Sequence, residues 1–533
     1  MSAPVREQGL ALDGPPLTIA DVVRAARAPL RLTLSDDIRA RMAATRAVVD
    51  AHAAGETPVY GLNTGLGGNL GHRITPGEMA AFQEQMIRGR VVGIGEPLPV
   101  ETARAALFCR TVALARGGAG ISPHVHDLMI EMLARDVTPV VPGRGSIGAG
   151  DLALLMAIAD VMIGRGLAVH GGRAMPGAEA LAAAGLEPAR LGPKDGLAIG
   201  NGSAVTVAMA ALALDRLRDT LALHVSTAAF ACAGYGANPR IFDERFADAR
   251  PAAGQREAAA LFRRALKGGT RESATARVQD ALSFRTLAPV TGTMLAAFDA
   301  ARAAVEVELN ATADNPLVLP DDSGGAGAGE IHSTANFHTP AIALAFDTLA
   351  IAMTHLATAS AQRTIKLMTG RLTGLPNYLS PVGGASAGLV PMQKTVAALH
   401  AEIRLKAEPA SLDALAVSDT VEDVAPQSPL TIRKLDEQTA LARWLIAIEA
   451  LVAAQAADLR FGAEDAAARA GAAGGMLHRI VRAACPTLTG DRETGPDADA
   501  VHAALWRADT VAAIHDLFAD TPSPISGRGW EET

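Results

Sequence analysis

Residues 143–155 read GRGSIGAGDLALL. Four glycines in the first eight positions give way at Asp151 to the apolar run Leu152–Leu155. The stretch is entered through VTPVVPG (137–143), which follows a segment with clear helical signals. Ser122 is placed to cap that helix and Pro123 suits its first turn. Val125, Leu128, Met129, Met132 and Leu133 keep the i, i+3, i+4, i+7, i+8 spacing of one buried face. Downstream, helical patterns run over Ser203–Ala229, Thr291–Asn310, Ala341–Met368, Gly388–Lys406 and Glu437–Leu459. Several exceed an average globular helix and are apolar around much of their circumference, as helices surrounded by other helices are. The glycine-rich stretch is therefore a joint in a mainly α chain.

The 533 residues are long enough for one very large domain or a fused pair. Hydrophobic residues make up 49 % and aromatics only 3 %, with Ala and Leu prominent, which favours close-packed helices. Residues 1–115 are punctuated by Pro and Gly and predict short helices and loops. Residues 116–480 predict a central helical bundle, and 481–533 predict C-terminal helices and a tail. Asp321–Glu330 (DDSGGAGAGE) predicts a flexible loop.

A net charge of −8 without a long basic run argues against nucleic acid or an anionic membrane as partner. Cys109, Cys232 and Cys485 match no metal or disulfide spacing and read as reduced core residues. MSAPVREQGLALDGPP lacks the basic-then-apolar order of a signal peptide. Apolar stretches such as Val205–Leu214 are interrupted by Asp215, Arg216, Arg218 and Asp219, so no bilayer span is read and a cytoplasmic location is expected.

Taken singly, the polar motifs are weak. VYGLNTGLGG (59–68) lacks the Lys-Ser/Thr ending of a phosphate loop, and Tyr60 beside glycine is most simply a packed ring. His124 and His126 stand two apart on a helix and point to different faces, which disfavours a metal. His332 and His338 flank Asn336-Phe337 and are most simply structural. Glu422-Asp423 reads as a solvated turn. Lys394, in LVPMQKTVAAL, reads as a lysine on a buried helix in need of a partner or a function, with a snorkelling stem as the plainer account.

Their order is more telling. YGLNTGLGG, GIGEPL (93–98), VVPGRGSIGAGDLAL, DGLAIGNGS (195–203), VQDALSFR (278–285), TADNPLV (312–318), ANFH (335–338) and the 409–423 segment resemble, collinearly, the histidine and phenylalanine ammonia-lyase superfamily. The resemblance implies a histidine ammonia-lyase-like fold with a long central helical bundle completed by oligomerisation. It also implies a homotetramer in which each active site draws on three subunits. Members of that superfamily remove an α-amino group and a β-proton from an aromatic amino acid. Their electrophile, methylidene-imidazolone, arises by cyclisation of an internal Ala-Ser-Gly whose serine loses water.

Where the family has GSxGASGDLAPL, this chain has GSIGAGDLALL: Ala149 is followed directly by Gly150 and Asp151, with no serine between. The electrophile is therefore not expected, and neither is any other cofactor or a metal. Other departures accompany it. Leu282 stands where the family has Tyr, Ala281 where it has Pro, and Val421 where histidine ammonia-lyases have Gln. Arg90 replaces a His, with Arg88 nearby, and Lys394 takes a position usually apolar. Tyr60, Asn201, Gln279, Arg285, Asn336, Phe337 and Glu422 match the family's active-site pattern.

The electrophile serves to make a poor leaving group leave. A trimethylammonium nitrogen has no proton to lose, keeps its charge and departs as neutral trimethylamine. Betaine elimination needs only a base, a carboxylate anchor and a cation site. Tyr60 is the candidate base; a free phenol has a pKa of about 10, so cationic neighbours are needed. Arg285 resembles the carboxylate anchor and Asn201 an orienting group. Lys394 would bind that carboxylate or lower the pKa of Tyr60. Glu422 would face the quaternary nitrogen or a ring N–H. Leu282, Val421 and Phe337 would wall the methyl groups, Phe337 with a cation–π contribution, and Arg88 or Arg90 would meet a thione sulfur. This logic fits the ergothionase branch, which converts ergothioneine to thiolurocanate and trimethylamine. Elimination from hercynine or another aromatic betaine, and a catalytically silent paralogue with a binding role, stand as alternatives.

Overall fold

The five long apolar patterns become the helices Ala204–Tyr235, Leu287–Leu309, Pro340–Leu367, Met392–Leu405 and Ser428–Phe461 of the computed structural model. The structure describes residues 8–65, 71–75, 77–270, 278–321, 323–412 and 414–526. Leu66–Gly68 of the VYGLNTGLGG motif and Asp322 of the expected loop lie outside the described residues. The helix Pro123–Ala134 begins where its signals place it. Ser122 holds the cap position without a side-chain cap bond; its hydroxyl donates instead to Asp195 Oδ2 at 2.7 Å.

The chain forms two compact units, each assembled from separate segments. One comprises Met1–Ala213, Arg302–Leu344 and Pro409–Arg433. It holds every strand among the described residues, all short: Gln8–Ala11 pairs in parallel with Leu30–Thr33, and Ile94–Pro97 pairs antiparallel with Pro142–Arg144. Thr138–Pro139, Leu167–His170 and Arg173–Pro176 make a three-stranded sheet. Leu317–Pro320 and Gly329–His332 form a hairpin with Leu317 opposite His332, so the last two residues of the expected 321–330 loop, Gly329 and Glu330, are strand. The expectation of only short helices before residue 115 is corrected by Asp36–Ala54 and Val100–Ala115, which have 19 and 16 residues. The first buries Ile38, Met42, Thr45, Val48, Val49 and Ala53 along one face, and the second is buried along most of its length.

The other unit comprises Leu214–Ala301, Ala345–Glu408 and Lys434–Thr533 and is helical among its described residues. At its centre a fully buried Arg363 donates from Nε to Glu449 Oε1 at 2.6 Å and from Nη2 to Oε2 at 3.0 Å. Ser360 Oγ donates to the same carboxylate at 2.5 Å. The bidentate geometry and the extra donor offset the desolvation of two buried charges.

By length and composition, three stretches among the described residues are long and apolar enough to cross a membrane: Asp195–Tyr235, Pro340–Leu367 and Ser428–Phe461. Their most apolar windows are 94, 56 and 78 % buried inside the protein, the burial that a helical core demands. The three cysteines are buried, and burial pushes the Cys232 thiol up to about 12.

Replacing Glu449 with Gln leaves Arg363 charged and half-paired in the core. It should lower stability by about 3 kcal/mol or more, read as a lower unfolding midpoint. An unchanged midpoint would contradict this account of the unit's core.

Candidate active site

The site is built within the first unit, and the glycine-rich stretch is its floor. Asp151, fully buried, accepts from Ser146 Oγ at 2.7 Å, Thr206 Oγ1 at 2.8 Å and Thr206 N at 2.7 Å. Burial raises its pKa, and these hydrogen bonds oppose the rise. The backbone on either side is equally tied. Gly150 N–H donates to Phe337 O at 3.1 Å and Asp151 N–H to Gly202 O at 2.7 Å. Ala149 bridges His338, and Gln427 N–H donates to Ile147 O at 2.8 Å. Gly150 has φ +81°, and a Cβ there would lie 3.2 Å from Asn201 Oδ1, so both backbone and space favour glycine.

Over this floor lies a pocket of about 380 Å³. Tyr60, Arg90, Asn201, Asn315 and Glu422 supply its polar side chains together with Ser418. Val92, Ile147, Leu152, Ala153, Leu197, Phe337 and Val417 supply its apolar ones. Tyr60 sits in a turn clamped by Asn63, whose Oδ1 accepts from Val59 N at 2.7 Å and whose Nδ2 donates to Thr57 O at 2.8 Å. Val59 and Leu62 pack into a cluster with Val48, Val49, Ile74, Met79 and Val318, which leaves Tyr60 half-buried between two anchored neighbours. Glu422 arrives on a turn in which Val417 and Glu422 exchange backbone bonds of 3.0 and 3.3 Å. Arg90 follows the helix Met79–Arg88 and is held below the ordinary arginine range by burial, opposed by the charges of Tyr60 and Glu422. The three groups thus share one electrostatic field.

Of the residues singled out in the sequence, Tyr60, Arg90, Ala149, Gly150, Asn201, Phe337 and Glu422 line this pocket. Asp151 lies beneath it. Asn336 is exposed and donates from Nδ2 to Thr312 O at 3.3 Å. Arg88 faces an open depression with Gln85, Asp160 and Arg165, so only Arg90 of the pair reaches the site. Val421 is 66 % exposed. Leu282 is likewise exposed, and Gln279 Oε1 accepts from Arg285 Nη1; all three belong to the helical unit. Lys394 corrects an expectation: it is exposed. Met392, Val396 and Ile403 form the buried face of its helix, and Lys394, two positions after Met392, points the other way. Its apolar neighbours Ala397 and Ala398 are exposed too, so the run did not mark burial.

Asn315 was missed as a lining residue, although it lies in the TADNPLV block. Lys194 was missed altogether. It is 1 % exposed, donates from Nζ to Ala119 O at 2.7 Å, and is pushed down to about 8 chiefly by burial. No group of three or more His, Cys, Asp or Glu among the described residues is arranged to hold a metal.

Residues 17–483 match the family model for aromatic amino acid lyases. The chain is 36 % identical over 512 residues to a histidine ammonia-lyase of Myxococcus xanthus, covering 95 % of this chain and 99 % of that one. It is 38 % identical over 505 residues to a histidine ammonia-lyase of Anaeromyxobacter dehalogenans, with 92 % and 97 % covered. Among solved structures it resembles ergothionase from Treponema denticola in complex with desmethyl-ergothioneine sulfonic acid. That match has a TM-score of 0.89 and 30 % identity, covering 96 % of this chain and 99 % of that one. Histidine ammonia-lyase from Trypanosoma cruzi gives 0.85 and 28 %, covering 98 % and 97 %. The chain belongs to the aromatic amino acid lyase family, as a histidine ammonia-lyase-like carbon–nitrogen lyase. The family's prosthetic electrophile does not fit the residues present: no side chain between Ala149 and Gly150 can be dehydrated.

Lys194 carries a testable consequence. Its folded pKa of about 8 lies below the ordinary 10.5, so between those pH values the unfolded chain holds a proton that the folded chain has released. Stability from this group therefore rises with pH across that window. The stability difference between wild type and Lys194→Met should move in favour of wild type from pH 8 to 10.5. A constant difference would contradict the burial-driven shift.

Proposed function

We propose that the protein eliminates trimethylamine from ergothioneine, giving thiolurocanate, without an electrophilic cofactor. The observation that carries this reading is one pocket in which Tyr60, Arg90, Asn201, Phe337 and Glu422 surround a loop that lacks the dehydratable serine.

The chemistry then rests on the chain's own residues. A phenolate at Tyr60 takes the β-proton, the C–H electrons form the new double bond, and the Cα–N bond breaks to release neutral trimethylamine. Arg90 provides the nearby cation that favours a phenolate. The methyl groups meet Ile147, Leu152, Ala153, Leu197 and Phe337, a wall that accepts N(CH₃)₃ and offers a cation–π face. Glu422 is left for the cation or the ring N–H, and Arg90 for the thione sulfur. In the same reading the protein works as a cytoplasmic homotetramer. Arg285, Gln279 and Lys394 of neighbouring copies would supply the carboxylate anchor; in a single chain Gln279 and Lys394 are exposed and Arg285 is half-buried.

Purified protein given ergothioneine should produce the conjugated acrylate and trimethylamine in equal amounts. Tyr60→Phe should reduce turnover by about 10²-fold or more with its melting temperature unchanged. Turnover of histidine to ammonia, or no reaction with any aromatic betaine, would overturn the proposal. Preferential turnover of hercynine would move the ring specificity but keep the mechanism.

A further inference from the structure

Asn201 ends the short helix Asp195–Gly200 with an extended backbone, and its Nδ2 donates to Asn315 O at 2.6 Å. Behind both residues lies Arg110, fully buried on the helix Val100–Ala115. Its Nε donates to Ala198 O at 3.0 Å and Ile199 O at 3.1 Å, the carbonyls just before Asn201. Its Nη2 donates to Ala198 O as well and, at 2.6 Å, to Oδ1 of Asp314, itself 1 % exposed and next to Asn315. One guanidinium therefore fastens both segments that meet at the Asn201 amide. Thr334 completes the clamp: its Oγ1 donates to Asp314 O at 2.8 Å and its N–H to Asn315 Oδ1 at 2.9 Å. Gly202 makes room, since a Cβ there would lie 2.4 Å from Arg110 Nη1.

A buried ion pair of this kind is a poor device for stability alone, because well-packed apolar residues serve as well or better. What it gives here is direction. We propose that the Arg110–Asp314 pair is a positioning device for Asn201, holding the Asn315 carbonyl where it captures Nδ2, so that Oδ1 is the atom turned toward Gly150 and the pocket. The catalytic consequence rests on the trimethylamine-lyase reading. An amide oxygen facing a quaternary ammonium is a favourable ion–dipole contact, whereas an amide that can turn presents N–H to a cation. The cation's charge disappears as the C–N bond breaks, so this contact belongs to substrate binding more than to the transition state.

Asp314→Asn keeps the shape and removes the charge that fixes Arg110. It should raise the KM for ergothioneine about tenfold while kcat changes less than threefold. In a double-mutant cycle with Asn201→Ala the KM effects should not add, because Asp314 acts through Asn201. Additive effects, or a fall in kcat alone, would overturn the proposal. Should Asp314→Asn fail to fold, Thr334→Val removes only the hydroxyl bond to the Asp314 carbonyl. It should show the same KM pattern at about threefold, and an unchanged KM would count against the proposal equally. Crystal structures of wild type and the variant read positioning without turnover: retention of the Asn201–Asn315 bond in the variant contradicts it. If wild type itself does not turn over ergothioneine, the reaction assignment fails while the crystallographic comparison still decides the positioning role.

Discussion

The buried carboxylate of Asp151 is the interaction on which the site depends. It draws together the glycine-rich floor through Ser146, the start of the helix Leu152–Met162, and the first turn of the helix Ala204–Tyr235 through Thr206. A carboxyl group taken wholly out of water is tolerated only when its lone pairs are met, and here three donors meet them. Because the floor is held by this anchor and by backbone bonds from Phe337, Gly202 and Gln427, the chain can lose a residue from the motif without losing the pocket above it.

That separation between scaffold and chemistry explains the pattern of departures in the sequence. The groups that frame the pocket, Tyr60, Asn201, Phe337 and Glu422, are those that match the family. The missing serine and Arg90 are what differ within it. A permanently charged leaving group removes the need for an electrophile and increases the need for shape and field. In the proposed reaction the apolar wall would supply the first, and Arg90 with Tyr60 and Glu422 the second.

The long helices were legible because tens of Ala and Leu residues repeat one message. The fold was legible because its motifs stand in family order. Short strands such as Ile94–Pro97 and the 317–332 hairpin were not, since four residues carry too little periodicity to distinguish them from loop. The site was legible as a set of residues but not as a place. Arg88 and Arg90 were both candidates for the sulfur, yet only Arg90 lines the pocket with Tyr60. Val421 and Glu422 are adjacent in sequence, yet only Glu422 lines the pocket. Lys394 misled because alanines serve exposed and buried helix faces alike. Arg110 and Lys194 gave no signal at all, as a buried charge is recognised only once its distant partners are known.

The central claim is that an intact, uncyclised chain performs the elimination. The most direct test is the intact mass of the protein preparation that turns over ergothioneine. The account predicts the mass of the unmodified polypeptide in fully active material. A mass lower by two waters, or activity confined to such a fraction, would show that an electrophile forms after all and contradict it.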